Sequence, residues 1–233
     1  VFDQSLLVVA SIKNYLASWD LDKDGVQQPD RLWNDSSEHL DTPLRRQACA
    51  ISISVSHKML AVAYSGQPIT LWDLEENTYY GTCGKKLSIG KTSTHVVSAL
   101  VFNPNVNVNL LAASYLDGEL VLLDPFSDKE LQSLHANCHT LASSPDGRLL
   151  AGSAGAGTIQ IYEFATLRLL YRVKSSNIYI KQLAFSRDNL HFSDIRGSQC
   201  NIWEPAALLR DMVSDYSGDN SPKSFFEAIT LDT

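Results

Sequence analysis

A glycine- and lysine-rich stretch, GKKLSIGKT at residues 84–92, resembles a phosphate-binding loop. The motif G-x-x-x-x-G-K-[ST] lets successive backbone N–H groups surround one anion. Here five residues lie between Gly84 and Gly90, and the following TSTHVVSALVF reads as a strand where the motif needs a helix. The stretch is therefore interpreted as a basic loop between strands, and no cofactor is expected.

A second stretch, DLDKDG at residues 20–25, resembles the start of a calcium-binding loop. Asp20, Asp22 and Asp24 alternate as oxygen ligands for a hard cation do. The twelfth position of such a loop is a bidentate Glu, but Arg31 stands there. An outer turn is the favoured interpretation, and calcium binding by the three aspartates stays open.

The residue types used in nucleophilic catalysis or zinc binding do not occur at the spacings that these functions require. Six histidines are present, but no G-x-S-x-G motif is. Cys138 and His139 are neighbours in a predicted strand, so their side chains point to opposite faces. No C-x-x-C pair occurs among the four cysteines, Cys49, Cys83, Cys138 and Cys200. The chain is therefore predicted to have no catalytic residue and no metal site, and not to be an enzyme.

Composition favours a globular, acidic chain. Of 233 residues, 44% are hydrophobic, and 19 Lys+Arg against 26 Asp+Glu give a net charge of −7. A negative chain has no general electrostatic attraction to nucleic acid or to anionic membranes. No apolar run is long enough to span a membrane, and free thiols suit a reducing compartment. We expect neither nucleic acid nor membrane as partner, and a cytoplasmic location.

The chain contains an internal repeat. Five strand-like segments end alike: YLASWDL (15–21), ITLWDL (69–74), LVLLDPF (120–126), IQIYEF (159–164) and CNIWEP (200–205). The closing residues are spaced by 53, 51, 39 and 41 positions, and a propeller blade has roughly 40–45 residues. These closing pairs are Trp19 and Asp20, Trp72 and Asp73, Leu123 and Asp124, Tyr162 and Glu163, and Trp203 and Glu204.

Two further strand-like segments precede these endings. The nearer ones are LLVVAS (6–11), LAVAYS (60–65), LLAASY (110–115), LLAGSA (149–154) and LHFSDI (190–195). The farther ones are CAISIS (49–54), VSALVFNP (97–104), CHTLASSPDG (138–147) and KQLAFSRDN (181–189), the last two ending in hairpin-turn residues. Segment 1–21 has no farther element, so the pattern predicts about four and a half to five four-stranded blades.

The combined pattern resembles the WD-repeat family over about residues 1–205. This resemblance implies an all-β propeller, here an incomplete arc of a larger one, since closed rings of this family usually have about seven blades within a general range of roughly 4–8. It also implies a buried Asp–His–Ser/Thr–Trp relay. Because Leu123 and Tyr162 replace Trp and no Gly-His dipeptide occurs, we expect most blades to rely on apolar packing.

A narrower resemblance concerns SRDNLHFSDIRGSQCNIWEPAALLR at residues 186–210, which is similar to the WD-repeat region of fungal NACHT–WD-repeat (STAND-type) proteins. It implies a sensor role beside a nucleotide-binding domain. We assign 1–212 to propeller blades, ending near 19–21, 72–74, 123–125, 162–164 and 203–205. Residues 213–233 are assigned to an exposed linker followed by the start of a new strand.

Binding is the expected function, at the rim formed by the turns between the second and third strands of the blades. Tyr and Arg, which are common at interface hot spots, occur there. The partner is expected to be a protein or peptide, besides other blades and domains of the parent chain. A scaffold propeller of a ubiquitin-ligase or trafficking complex is an alternative, and a hydrolase is the least favoured. The rim candidates are Lys13, Tyr15, Tyr64, Tyr115, Asp117 and Arg196, with insertion 22–48 as a second candidate surface.

Overall fold

The computed structural model describes residues 6–10, 16–20, 31–33, 48–86, 96–155, 157–174, 178–189, 191–203 and 229–230. All regular elements in these ranges are strands, and they form five antiparallel sheets, which we number as blades I to V in chain order. Blade I has three strands, β1 (Leu6–Ala10), β2 (Leu16–Asp20) and β3 (Arg31–Trp33). Each of the other four blades has four strands.

In each of blades II to V, the four strands pair with one another in chain order, without crossovers. Blade II contains β4 (Ala48–Ser54), β5 (Met59–Tyr64), β6 (Ile69–Asp73) and β7 (Thr78–Cys83). Blade III contains β8 (Val97–Phe102), β9 (Leu111–Tyr115), β10 (Glu119–Asp124) and β11 (Lys129–His135). Blade IV contains β12 (Cys138–Ser143), β13 (Leu149–Ala154), β14 (Thr158–Glu163) and β15 (Leu169–Lys174). Blade V contains β16 (Ile180–Phe185), β17 (Phe192–Arg196), β18 (Gln199–Trp203) and β19 (Ile229–Thr230).

Blades II to V are arranged as in a β-propeller. Their first strands contact one another in chain order, β4 against β8, β8 against β12, and β12 against β16. Strands β4, β8, β12 and β16 are therefore innermost, and each sheet extends outward from them. This confirms the all-β propeller segment predicted from the repeat.

The hydrophobic core lies between neighbouring blades. Ala61 and Leu71 of blade II pack with residues of blade III, while Ala151 and Ile161 of blade IV pack with blade V. In each case a small residue of the second strand stands opposite a large aliphatic residue of the third. The closing residues face the other way: Tyr162, for example, packs toward blade III. Blades III and IV are therefore each packed against a neighbouring blade on both faces.

Turns at one end of the sheets use the same polar motif in successive blades. Ser144 Oγ donates to Asp146 Oδ1 at 2.5 Å and accepts from Leu149 N at 2.9 Å. In blade V, Ser186 likewise bonds Asp188 at 2.5 Å and the backbone N of His191 at 2.9 Å. These side chains satisfy turn N–H groups that the strand ladder leaves unpaired. The turn predicted from Pro-Asp-Gly and Arg-Asp-Asn is confirmed.

β-Bulges recur at two equivalent places. The first strand of each of blades II to V is bulged near its start, between Ala48 and Ala50 in blade II and between Val97 and Ala99 in blade III. The pairing of third and fourth strands shifts directly before the closing residue, as between Leu71 and Trp72. A bulge increases local twist and re-aims a side chain. Blades II, III and IV therefore carry both shifts, whereas the described pairing of β18 with β19 in blade V shows none.

Two outer strands of the sheets were not predicted from the sequence. Arg31–Trp33, inside the insertion 22–48, is the outer strand of blade I. Ile229–Thr230, expected to begin a following unit, pairs with β18 at Ile202↔Ile229. It is therefore the outer strand of blade V.

Candidate functional site

One end of the sheets collects the turns between second and third strands together with the starts of the innermost strands; we call it the rim. The register places Val97 opposite Tyr115, Cys138 opposite Ala154 and Ile180 opposite Arg196. The bulges of the innermost strands lie at this same end. Bulges are common beside functional sites because they change the direction of one side chain.

Apolar side chains are exposed at the rim. Leu116, in the turn after β9, is 62% exposed. Ile178 and Tyr179, directly before β16, are 49% and 52% exposed. The ring of His139, an exposed residue of β12, lies 5.7 Å from the ring of Tyr179. Large apolar groups held in water by short turns are typical of contact surfaces rather than of packing.

The exposed groups lie at the same end of the adjacent blades III, IV and V. Leu116 N donates to Val96 O at 2.9 Å, which fixes the turn beside the start of β8. Ser114 Oγ donates to Cys138 O at 2.5 Å, which joins β9 to the start of β12. His139, the next residue, contacts Tyr179 of blade V. We call Leu116, His139, Ile178 and Tyr179 the rim patch.

A buried lysine fastens blade II to blade III beside the rim patch. The side chain of Lys85 is 5% exposed, and its ammonium donates to Asp117 and, at 3.0 Å, to Glu119. The ammonium lies 4.6 Å from the Tyr115 ring centroid, a cation–π contact. The Lys85 backbone N donates to the Tyr115 hydroxyl at 3.2 Å. The connection after β7 is thus held on the turn between β9 and β10.

The electrostatics of this contact favour the charged pair. Burial disfavours the ammonium, but hydrogen bonds to Asp117 and Glu119 outweigh it and raise the pKa of Lys85. Burial also disfavours the Asp117 carboxylate, but the hydrogen bond from Lys85 outweighs it and lowers the pKa of Asp117. Burial raises the pKa of the Tyr115 phenol. All three groups keep their ordinary charges near neutral pH.

A second buried cation lies in blade V. Arg196 is 2% exposed and pairs through Nε with Asp194, which is 0% exposed. Its Nη1 donates at 2.9 Å to Gly157 O, in the turn of blade IV. Asp194 also accepts from Trp203 Nε1 at 2.6 Å and from Asn201 Nδ2 at 3.1 Å. This network joins the closing Trp of blade V to the neighbouring blade.

Three side chains expected on the exposed rim are buried instead. Tyr64 is 5%, Tyr115 2% and Arg196 2% exposed, so they do not offer free contact surface. Tyr115 and Arg196 are used in the inter-blade contacts with Lys85 and Gly157. Asp117 remains one-third exposed, although Lys85 bonds it. Lys13 and Tyr15 lie outside the described residues.

Sequence reasoning missed Lys85 and the whole rim patch. The sequence places Lys85 in a basic loop between strands, and Leu116 lies between two rim candidates, Tyr115 and Asp117. A signal was available for Leu116, because a large apolar residue inside a tight polar turn has nowhere to pack. No comparable signal marks Ile178 and Tyr179, whose exposure depends on how the blades meet.

The closing residues differ in how their polar atoms are satisfied. Trp72 is half-buried, and its indole N–H has no hydrogen-bond partner in the described part of the chain. The Tyr162 hydroxyl bonds the Gln160 amide at 2.6 Å. Leu123 is fully buried and has no polar group. Only Trp203 donates to a buried aspartate among these closing residues, so apolar packing predominates as expected.

The acids that follow the closing residues hold turns. Asp73 Oδ1 accepts from Glu75 N at 2.8 Å, and Asp124 Oδ1 accepts from Phe126 N at 3.0 Å. Glu163 accepts from Thr166 Oγ1 at 2.5 Å. Side-chain oxygens at these positions pair turn N–H or hydroxyl groups. For the other two closing acids, Asp20 and Glu204, the side chains lie outside the described part of the chain.

The stretches that resemble ligand loops fall largely outside the described ranges. Residues 87–95 and 21–30 are not described, so Gly90, Asp22 and Asp24 have no assigned geometry. Within the ranges that are described, no three His, Cys, Asp or Glu side chains converge as in a metal site. Cys138 is buried and His139 exposed, which confirms that they face opposite sides.

The thiols of the described chain are all reduced. Cys83 and Cys138 are buried, and burial raises the pKa of each thiol to about 12. Cys49 and Cys200 are exposed.

Comparison with models of known protein families found no match to this chain. None of the elements that the structure describes is an apolar helix of membrane-spanning length.

Proposed function

We propose that this chain is a non-catalytic interaction propeller that binds a protein or peptide at the rim patch. The observation that carries the proposal is the exposure of Leu116 and Tyr179 at the same end of adjacent blades. Aromatic residues such as Tyr are enriched among the few residues that supply most of the binding energy at protein contacts.

The polar groups near the rim patch support binding rather than catalysis. Lys85 is paired with two carboxylates, and its raised pKa keeps it protonated and non-nucleophilic. The Cys138 thiol, with a pKa of about 12, holds almost no thiolate near neutral pH. These groups hold blades together and are poorly suited to attack a substrate.

We further propose that the blades are of the WD-repeat type and serve as the sensor part of a fungal NACHT–WD-repeat signalling protein. The strand endings and the segment 186–210 support this reading. A scaffold propeller of another complex would bind in the same way but lack a nucleotide-binding domain. The gene sequence upstream of the Val1 codon separates the two, and absence of that domain there would contradict the sensor proposal.

The proposed partner is neither nucleic acid nor membrane, and the proposed compartment is the cytoplasm. A net charge of −7 works against binding of polyanions. Free thiols at all four cysteines fit a reducing environment.

Photo-crosslinking tests the binding surface. A benzophenone amino acid is placed at Leu116 or Tyr179, and at Val106 as control, because Val106 is 60% exposed at the opposite end of blade III. We expect one discrete adduct from the first two positions and not from the third. The purified partner should then bind at least about tenfold more weakly to Leu116→Ser and Tyr179→Ser, with Val106→Ser unchanged. Equal adducts from all positions, or equal affinity of all variants, would contradict the proposal.

A further inference from the structure

Three aromatic side chains meet where blades II and III adjoin, toward the end of the sheets opposite the rim. Phe126 lies in the turn after β10, and its ring centroid is 5.3 Å from that of His57, in the turn after β4. The ring of Tyr80, on β7, packs against Phe126 in a T-shaped arrangement, with centroids 5.8 Å apart and planes at 86°. One ring of blade III therefore contacts two rings of blade II. We call His57, Tyr80 and Phe126 the aromatic seam.

The aromatic seam is anchored in the core on one side and open to water on the other. Phe126 is partly buried and packs on the core between blades II and III. Tyr80 is 49% exposed, and Val55, in the same turn as His57, is 57% exposed. Aromatic rings that are fixed in place and still reach solvent are typical of contact surfaces.

A β-bulge places the Tyr80 side chain. Tyr80 is the extra residue of β7, because its neighbours Tyr79 and Gly81 pair with consecutive residues of β6. The equivalent extra residues of blades III and IV are Leu131 and Leu170. A bulge re-aims one side chain of a strand. Each of these outer strands thus presents a large side chain there, and it is aromatic in blade II.

The position of Phe126 also differs between the repeats. Phe126 is the second residue after the closing acid of blade III, and the same position holds Glu75 in blade II and Ala165 in blade IV. Blades II and IV form their turns without an aromatic ring at this place. The fold does not require the aromatic seam, which is a property of one pair of blades.

The segments that form the aromatic seam are acidic. Residues 55–58, 73–80 and 124–129 contain five carboxylates and two ammonium groups, a net charge of −3 with His57 neutral. One of the two ammonium groups, that of Lys58, is already bonded to Glu75 at 2.6 Å. The surface around the rings therefore attracts a cation.

Asp128 is the carboxylate best placed to pair with such a cation. It lies in the same turn as Phe126 and is exposed. No lysine, arginine or histidine in the described part of the chain forms an ion pair with it. Burial, and then the charges of Asp128 and Asp124, raise the pKa of the Cys83 thiol on β7. These carboxylates of blade III are thus close enough to act on blade II.

We propose that the aromatic seam binds an arginine side chain of a protein partner, with the guanidinium on the Tyr80 ring and its N–H groups donating to Asp128. A guanidinium is planar and weakly hydrated, so it can stack on an aromatic ring and pair with a carboxylate at once. A lysine ammonium is a more strongly hydrated point charge and gains less from the ring. The aromatic seam and the rim patch lie at opposite ends of the blades, so both can be occupied together.

Two peptides of equal charge test the proposal on the unchanged protein. One has four Gly-Ser-Arg repeats and the other four Gly-Ser-Lys repeats, both acetylated and amidated and both carrying a fluorophore. We expect the arginine peptide to bind at least about threefold more tightly by fluorescence anisotropy, because stacking on the ring adds to the attraction between charges. Equal affinities overturn the proposal, as does an arginine peptide that does not bind at about 1 mM.

Tyr80→Leu tests whether the preference for arginine arises at the aromatic seam. The substitution introduces the residue type that blade III has at this bulge, and it should abolish the difference between the two peptides. Leu131→Ala, at the equivalent position and 52% exposed, is the matched control and should keep the preference of the wild type. A preference that survives in Tyr80→Leu overturns the proposal.

Asp128→Asn tests the carboxylate. Asp128 has a φ of 49°, and blade II has Asn77 at the equivalent turn position with a φ of 56°, so asparagine fits this backbone. Both peptides should bind at least about twofold more weakly, the scale of an exposed ion pair. Unchanged affinity overturns the role of Asp128. Circular dichroism checks the fold of each variant, and the comparison of the two peptides on the wild type decides even if a variant does not fold.

Discussion

At the residue scale, Lys85 shows how a single cation joins two repeats. Its ammonium is enclosed by Asp117, Glu119 and the Tyr115 ring, all from blade III, although Lys85 itself follows the last strand of blade II. The two carboxylates remain 32% and 44% exposed, so water still screens the pair. The contact therefore specifies which blades meet more than it stabilises them.

Lys85→Met should lower the free energy of unfolding by about 1 kcal/mol, the scale of a partly exposed ion pair and a cation–π contact. Urea unfolding near neutral pH measures this difference. Lys58→Met is the control, because Lys58 and Glu75 form a pair at 2.6 Å with side chains 48% and 64% exposed. Its stability should change by less than about 0.5 kcal/mol. Equal losses from both variants would contradict the role of Lys85.

The difference in free energy of unfolding between the wild type and Lys85→Met should depend on pH. The pKa of Asp117 is lowered in the folded chain, so its contribution is present above the unfolded value of 3.8 and is lost as pH falls below it. The stability gap between wild type and Lys85→Met should therefore narrow between about pH 5 and 2.

Several residues of the site could not be predicted because their surroundings come from distant segments. Arg196 reads as an exposed turn residue, yet Asp194 and the Gly157 carbonyl, 39 positions away, bury it. Tyr115 was selected for exposure and is instead covered by Lys85, 30 positions away. The local sequence predicts the turn, but it does not predict which distant segment of the chain packs over that turn.

At the element scale, close approach between strands depends on Gly152 in β13. A Cβ atom added there would lie 2.4 Å from Cys138 Sγ and 3.3 Å from Cys138 Cβ. Cys138 is 1% exposed and stands at the bulged start of β12. The absent side chain of Gly152 thus makes room for the buried thiol beneath the rim.

Gly152→Ala should destabilise the chain by about 1–3 kcal/mol, since a buried neighbour would have to move. Gly81→Ala is the matched control, because nothing lies within 4 Å of a Cβ at Gly81 in β7. That substitution should raise stability by about 0.5–1 kcal/mol through lower backbone entropy of the unfolded chain. Thermal and urea unfolding of both variants measure the contrast. If Gly152→Ala leaves the free energy of unfolding unchanged, β12 can move away from the added methyl group at little cost, and the prediction is wrong.

Strands that face a core on at least one side were predictable, and the outermost ones were not. LAVAYS and ITLWDL predicted β5 and β6 because burial on both sides leaves nearly continuous apolar residues. Strand β7, TYYGTC, is mostly exposed, and β11, KELQSLH, has no buried residue. Outer strands need only pair by backbone hydrogen bonds, so their side chains carry little periodic signal.

At the scale of the whole molecule, the stability of each blade depends on its neighbours. Interfaces between adjacent repeats dominate in such architectures, so a blade packed on one face is held less firmly than one packed on two. Among the residues that the structure describes, blade IV packs against a neighbouring blade on both faces and blade V on one. Local opening should therefore begin in blade V rather than in the centre.

Hydrogen exchange tests this gradient. At low protein concentration, amides of β13 should exchange at least about tenfold more slowly than those of β17, the equivalent strand of blade V. Peptides that cover both strands, followed by mass spectrometry, give the comparison within one sample. Equal protection of β13 and β17 would contradict the gradient.

The recurrent bulges have a consequence for how such a chain can change in length. Because blades II, III and IV carry the same two shifts in register, beside the start of the first strand and before the closing residue, each of them sets its own twist. The angle to the next blade is then a property of the single repeat and not of the total number. Duplication or loss of one complete repeat should therefore lengthen or shorten the arc while its curvature stays the same.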